Sequence, residues 1–297
     1  MLDIPALRRL AAIDADVRVG LVGSGIGASL TPAMHEREGA AQGLRYVYRL
    51  IDLDGVPGGA NSLPDILSQA IRSGLAGLNV THPCKQTVMP LLDTLSEDAR
   101  ALGAVNTVVI RDGRTAGHNT DWYGFAEAFK RDLGDVPRAT VVQLGAGGAG
   151  AAVAHAMLAV GTKTLCIADT DMQKAQDLAA RLQRQRPGAT VTVAPPLAEA
   201  IATADGLINT TPVGMAKYPG LPLDAALLTP KLWVADIVYF PLETDLIETA
   251  RALGCRTMGG GGMAVFQAVG AFELFSGRQP NPDRMQAHFA ELTRGPS

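Results

Sequence analysis

The segment that most restricts how this chain can fold is residues 140–161, "TVVQLGAGGAGAAVAHAMLAVG". It is long and weakly polar enough to suggest a membrane span, but Gln143, a cluster of glycines and His155 interrupt it. A strand, a tight glycine turn and a buried helix account for it better. Gly145, Gly147 and Gly150 stand in G-x-G-x-x-G spacing between that strand and that helix. Glycines there let the backbone turn sharply and approach a pyrophosphate, whose charge is stabilised by N–H groups at the helix N-terminus. A second strand, "TLCIAD", ends in Asp169, at the distance of about 20 residues where a carboxylate meets an adenosine ribose. A glycine-rich turn in a nucleotide-free domain explains the glycines alone but not the acid that follows them. The loop Gly145, Ala146, Gly147, Gly148 and Ala149, with Asp169, is therefore a candidate dinucleotide site.

Asp169 also bears on which dinucleotide. A carboxylate accepts hydrogen bonds from ribose hydroxyls but repels a 2′-phosphate, which calls for a nearby arginine. The following residues are Thr170, Asp171, Met172 and Gln173, with no base before Lys174. NAD is the expected cofactor.

Around this segment, strands and helices alternate nearly throughout, which predicts an α/β fold with a mostly parallel sheet and helices on both faces. "VRVGLVG", "YVYRLIDL", "GLNVT" and "AVNTVVI" read as strands, and Asp112-Gly113 as a turn after which "RTAGHNTD" returns. Helices are expected at residues 31–43, 63–74 and 122–133, with one long helix over 85–103. Beyond the glycine loop, helices are expected at 171–186 and after "TVTVA", with strands at "GLIN" and "WVADIVY" and a final helix in "GMAVFQAVGAFELFSG". With 297 residues, two domains facing a cleft are expected.

Composition excludes several classes. The net charge is −3 and there is no Lys/Arg run, so nucleic acid is not an expected partner. Cys84, Cys166 and Cys255 are widely separated, with no CxxC pair and no Cys/His cluster. Reduced thiols, no metal and a cytoplasmic location follow. The opening "MLDIPALRRLAAIDAD" has its arginines after its apolar residues, unlike a signal peptide. No membrane partner is expected, and a monomer or a homodimer fits equally well.

Further motifs occur in order: "SLTPAMH", "NVTHPCK", "GAVNTV", "GHNTDWYG", "NTTPVGM", "DIVYFP" and "GGGGMAVFQ". This set resembles the shikimate dehydrogenase family across nearly the whole chain. The resemblance implies a substrate-binding and catalytic domain at 1–121, a Rossmann-type dinucleotide-binding domain at 122–259, and C-terminal helices at 260–297 packing back on the first domain. It implies a small cyclic polyol acid as substrate and a catalytic pair, Lys85 and Asp121. It also implies substrate hydroxyl contacts from Asn79, Thr81, Asn106 and Gln267, and carboxylate contacts from Ser29 and Thr31. Tyr239 would sit near the carboxylate or the nicotinamide. Thr211, Met215, Val238, Gly260 and Met263 would line the cofactor.

The residue chemistry suits that activity. Moving a hydride from a secondary alcohol to a nicotinamide requires a positioned side chain to take the hydroxyl proton. Lysine suits an alkoxide-like transition state as a charged donor, but as a base it must first lose its own proton. Lys85 as base, as electrophilic stabiliser or as half of a coupled pair all stay open. In the first turn of the expected helix over 85–103 a lysine meets the positive dipole end, which a nearby anion would offset. Taken locally, Asp121 and Thr31 read as helix caps, the latter followed by a favoured first-turn proline. Gln267 reads as an inward polar residue. His35, His82 and His118 lack metal-ligand spacing, and Cys84 reads as packing.

Within the family, the biosynthetic enzymes typically carry Ser-x-Ser before the proline and an arginine after the second Rossmann strand. This chain has Ser29-Leu30-Thr31 and Asp169-Thr170-Asp171. Both departures resemble the NAD-dependent quinate/shikimate dehydrogenases, which oxidise quinate and shikimate at the C3 hydroxyl. The alternatives are a biosynthetic shikimate dehydrogenase and, in another class, a non-catalytic domain that senses these acids.

Overall fold

The computed structural model describes residues 4–294. They form two compact units, one running to Thr120 and resuming at Gln267, the other Asp121–Phe266.

The first unit opens with α1 (Pro5–Ala11), β1 (Val17–Gly23), α2 (Thr31–Ala41), β2 (Tyr46–Asp52), α3 (Leu63–Arg72) and β3 (Gly77–Val80). It continues with β4 (Thr94–Leu95), α4 (Glu97–Leu102), β5 (Thr107–Arg111) and β6 (Arg114–His118). The six strands lie in the order β2-β1-β3-β5-β6-β4. β1 is a nearly continuous apolar run because it is central, with parallel neighbours β2 and β3. β5 and β6 pair antiparallel across the turn at Asp112-Gly113, whose φ values of 51° and 76° suit a tight hairpin. Ile4, Leu7, Ile51, Leu63, Ile66 and Leu78 belong to one buried core cluster of this unit.

One expected element is absent. Residues 85–103 do not form a long helix: a run of turns ends in a short 3₁₀ turn at Met89–Leu91, followed by β4 and then α4. Pro90 removes a helical N–H, and Ser96 starts a new helix by accepting from the Ala99 N–H at 3.1 Å. Gly103, at φ 66°, ends it. Lys85 is therefore not in a helix first turn, and the dipole argument about it does not apply.

The second unit opens with α5 (Asp121–Leu133), β7 (Thr140–Leu144), α6 (Gly148–Ala159), β8 (Thr164–Ala168), α7 (Met172–Gln185) and β9 (Thr190–Val193). It goes on through α8 (Leu197–Ala202), β10 (Gly206–Asn209), β11 (Trp233–Asp236), α9 (Asp245–Ala252) and β12 (Arg256–Met258). All neighbouring strands are parallel, in the order β12-β11-β10-β7-β8-β9. Counted within the unit, this is the doubly wound order 3-2-1-4-5-6, which leaves a ligand crevice where the first and fourth strands adjoin. α10 (Gly261–Ser276) runs out of this unit, and its end together with α11 (Pro282–Thr293) belongs to the first.

The sequence reading assigned no element to the segments that form α1, α9 and β12. α11 is anchored by Glu38 of α2, which is fully buried. Its carboxylate accepts from Arg284 Nε at 2.7 Å and Nη2 at 2.6 Å, from Asn281 N at 2.9 Å and from Gln42 Nε2 at 2.8 Å.

Candidate functional site

In the second unit, β7 delivers its chain end to the switch point. Gly145 has φ 100°, which an L side chain adopts only with strain, and a Cβ there would also meet Thr210. A Cβ on Gly150 would fall 2.5 Å from the Gly145 carbonyl oxygen. The turn and the helix pack too closely for anything larger than glycine at either place. By contrast, a Cβ on Gly147 or Gly148 would meet nothing within 4 Å, so α6 presents its N-terminal N–H groups to open space. Ala149 follows in its first turn. That is the room and polarity a pyrophosphate needs.

Asp169 closes the same turn from β8. Its Oδ2 accepts from Ala146 N at 2.7 Å and its Oδ1 from Asp171 N at 2.8 Å. Each oxygen keeps a lone pair for a further donor such as a ribose hydroxyl. Asp171 caps α7 through Gln173 N at 3.1 Å and lies 3.4 Å from Lys174 Nζ.

Two buried side chains that sequence reading passed over hold this loop. Gln143 Nε2 donates to the carbonyls of Gly145 and Gly150, each at 2.9 Å, and Thr210 Oγ1 donates its one proton between the carbonyls of Leu144 at 2.7 Å and Gly145 at 2.9 Å. The signal was present: a fully polar side chain inside a strand that is otherwise apolar. A second network sets the loop after β10. Asp236 is fully buried, and burial raises its pKa although Val238 N, Thr244 Oγ1 and Asn209 Nδ2 all donate to it. Asn209 Oδ1 accepts from both the N–H and the hydroxyl of Thr211. Val238 is buried, Gly260 packs on the Ile237 and Val238 carbonyls, and Met263 is half-buried in α10. Met215 and Tyr239 remain 42% and 43% exposed.

The first unit holds most of the expected substrate contacts. Thr31 is the first residue of α2 rather than its N-cap. Leu30 occupies the cap position without a side-chain bond, and Pro32 follows inside the first turn. Ser29 Oγ accepts from Thr31 N at 3.4 Å. The helix begins at Thr31, where it was expected, but its cap is Leu30 rather than Thr31, which leaves the Thr31 hydroxyl uncommitted to capping.

Asn79 and Asn106 form a buried network. Asn79 Nδ2 donates to the Asn106 carbonyl at 3.0 Å and to Thr107 Oγ1 at 2.9 Å. Asn106 Oδ1 accepts from Thr120 N at 2.7 Å and from Thr107 Oγ1 at 3.0 Å. Tyr48 OH donates to Asn79 Oδ1 at 2.7 Å. Burial pushes the Tyr48 phenol well above its ordinary pKa, and it pulls the imidazole of His35, packed edge-on against that ring, down to about 3. Thr81 and Lys85 are half-buried on the turn that leaves β3, with the Lys85 carbonyl accepting from Val105 N at 2.8 Å. Beside Lys85, Cys84 is fully buried, and burial raises its thiol pKa. Asp121, 9% exposed, follows Thr120 directly and opens α5, and half-buried Gln267 lies on α10.

A doubly wound parallel sheet with an open glycine loop, joined in one chain to a separate α/β unit that holds buried amides and hydroxyls, defines a two-domain dehydrogenase of the Rossmann type. Residues 21–108 match the family profile described as the shikimate dehydrogenase substrate binding domain. A shikimate dehydrogenase (NADP(+)) of Streptomyces avermitilis is 56% identical over 276 residues, covering 92% of this chain and 95% of that protein. A quinate/shikimate dehydrogenase (NAD(+)) of Corynebacterium efficiens is 50% identical over 279 residues, covering 93% and 98%. The solved quinate dehydrogenase of Corynebacterium glutamicum in complex with NAD superposes with a TM-score of 0.88 at 48% identity, covering 92% of this chain and 98% of that one. The chain belongs to the shikimate dehydrogenase family. Among the described residues no helix is long and apolar enough to cross a membrane.

Proposed function

We propose that this protein is an NAD-dependent quinate/shikimate dehydrogenase, reversibly oxidising the C3 hydroxyl of quinate to 3-dehydroquinate and of shikimate to 3-dehydroshikimate. When bound, NAD supplies the hydride acceptor. Gly145, Ala146, Gly147, Gly148 and Ala149 would receive its pyrophosphate at the α6 N-terminus, and Asp169 its ribose hydroxyls. Thr211, Met215, Val238, Gly260 and Met263 would line the cofactor.

Ser29 and Thr31 would hold the ring carboxylate at the start of α2. Asn79, Thr81, Asn106 and Gln267 would orient the ring hydroxyls, and Tyr239 would sit near the carboxylate or the nicotinamide. Lys85 and Asp121 would then accept the C3 hydroxyl proton as the C3 hydrogen leaves with its electron pair. We assign domain boundaries at residues 121 and 259, the return of the chain to the first unit beginning at Gln267.

The observation that carries the NAD assignment is Asp169, fixed by two backbone N–H groups with a second carboxylate two residues on and no arginine beside it. The runner-up, a biosynthetic shikimate dehydrogenase working with NADP, draws support from the 56% identical relative of that name. Initial rates for quinate and shikimate with each nucleotide separate the two. NAD with quinate is expected to be the best pair; a preference for NADP with shikimate would establish the runner-up. Quinate binding without turnover in any arm would favour the sensor reading.

A further inference from the structure

The buried network around Asn79 fixes which way each hydrogen bond runs, and that direction has a consequence for substrate recognition. At one end, Thr120 N–H can only donate, so the Asn106 atom it meets at 2.7 Å is Oδ1. Thr107 Oγ1 lies 3.0 Å from that oxygen and 3.3 Å from Thr120 Oγ1, and its one proton points to that side of the network. It therefore accepts from Asn79 at 2.9 Å. The Asn79 nitrogen also faces the Asn106 carbonyl at 3.0 Å, and a carbonyl only accepts. Both Asn79 N–H groups are thereby used within the protein. The opposite atom, Oδ1, takes the proton of Tyr48 OH at 2.7 Å.

From this geometry we propose that Tyr48 is a positioning residue for substrate recognition: its hydroxyl holds the Asn79 amide so that Oδ1 meets the substrate as a hydrogen-bond acceptor. Asn79 then selects for a ring position bearing a donating hydroxyl and against a keto group or an ether there. The inference rests on the ring-acid dehydrogenase reading proposed above. Tyr48 is 1% exposed and touches no substrate; it acts only through Asn79. Two features hold its ring: it packs edge-on against His35, centroids 5.0 Å apart, and its strand pairs in register with β1 at Val19.

The test compares wild-type enzyme with Tyr48→Phe on shikimate and on analogues in which the C4 or C5 hydroxyl is replaced by hydrogen or by fluorine, which cannot donate. Wild type is expected to reject one of these positions about tenfold or more in kcat/KM, the fluoro analogue as strongly as the deoxy one. Tyr48→Phe is expected to lower kcat/KM for shikimate about tenfold and to shrink that selectivity to threefold or less, the non-additivity of coupled groups. The KM for the nucleotide should stay within twofold.

Full retention of the analogue penalties in Tyr48→Phe, or a fluoro analogue accepted like shikimate, overturns the inference while the dehydrogenase reading stands. Absence of turnover by wild type with every ring acid and nucleotide removes that reading and the inference with it. If Tyr48→Phe melts below the assay temperature, Thr107→Val breaks the same relay from its other side. It must reproduce the lost selectivity, and Thr107→Ser must recover most of it; equal behaviour of the two variants overturns the inference.

Discussion

Arg284→Ala is expected to unpin the C-terminal helix from the first unit. In the native protein, the Glu38 carboxylate is completely buried and receives four donors, two of them from Arg284 at 2.7 and 2.6 Å. The variant keeps only Asn281 N and Gln42 Nε2 against a buried negative charge. Breaking a buried ion pair from one side costs about 3–5 kcal/mol, because the remaining charge stays desolvated. The Arg284 side chain is 35% exposed, so water enters where it was and discounts the cost to about 2–3 kcal/mol. For a domain of this size that is a fall of about 4–12 °C in Tm.

The pH dependence has a definite sign. Burial opposes ionisation of Glu38, but the hydrogen bonds from Arg284, Asn281 and Gln42 outweigh it and leave the carboxyl below its ordinary value. A depressed carboxyl stabilises the fold above its unfolded pKa and loses that contribution as pH falls through the folded one. The gap between wild type and Arg284→Ala should therefore be full at pH 7 and shrink in acid. Calorimetric melting at pH 7 and at pH 3.5 measures it. The double variant Glu38→Met/Arg284→Met should regain much of the loss, since an apolar pair needs no charge compensation. A Tm within 1 °C of wild type at pH 7, or a gap that does not change with pH, would refute the reasoning.

Three further outcomes are expected. Lys85→Ala should abolish most turnover while leaving the far-UV circular dichroism and Tm unchanged; near-normal turnover would remove Lys85 from the reaction. Gly150→Ala pushes a methyl into the Gly145 carbonyl, 2.5 Å away, and should raise the nucleotide KM about tenfold or more with little change in ring-acid binding. Steady-state kinetics varying each substrate in turn decides it. His35 stays neutral in the fold down to about pH 3, whereas its unfolded form takes a proton below about 6.5. The His35 contribution should thus lower native stability as pH falls through that window, by at most about 1.4 kcal/mol per pH unit, and stability measured by urea titration at several pH values should depend less on pH in His35→Phe.

Much of the fold was legible because its signals are local. The apolar run of β1, the Asp112-Gly113 turn and the strand–glycine–helix sequence around Gly145 each depend on neighbours a few residues away. The misreadings were local too, where two signals competed. Over residues 85–103 the apolar spacing favoured a helix, while Pro90 and the Ser96 cap divided it. At Thr31 a good capping residue was read one position too far along.

By itself, then, the sequence determined the alternation of strands and helices, the glycine turn and the carboxylate that follows it. These rest on backbone conformational preference and on the period of apolar residues, both short-range properties. Only the tertiary structure decided that Tyr48 reaches Asn79, that Gln143 and Thr210 hold the glycine loop, and that Glu38 is buried against Arg284. Those pairings bring together side chains from separate elements, and their strength comes from water excluded by the whole packed core, which no window of sequence contains.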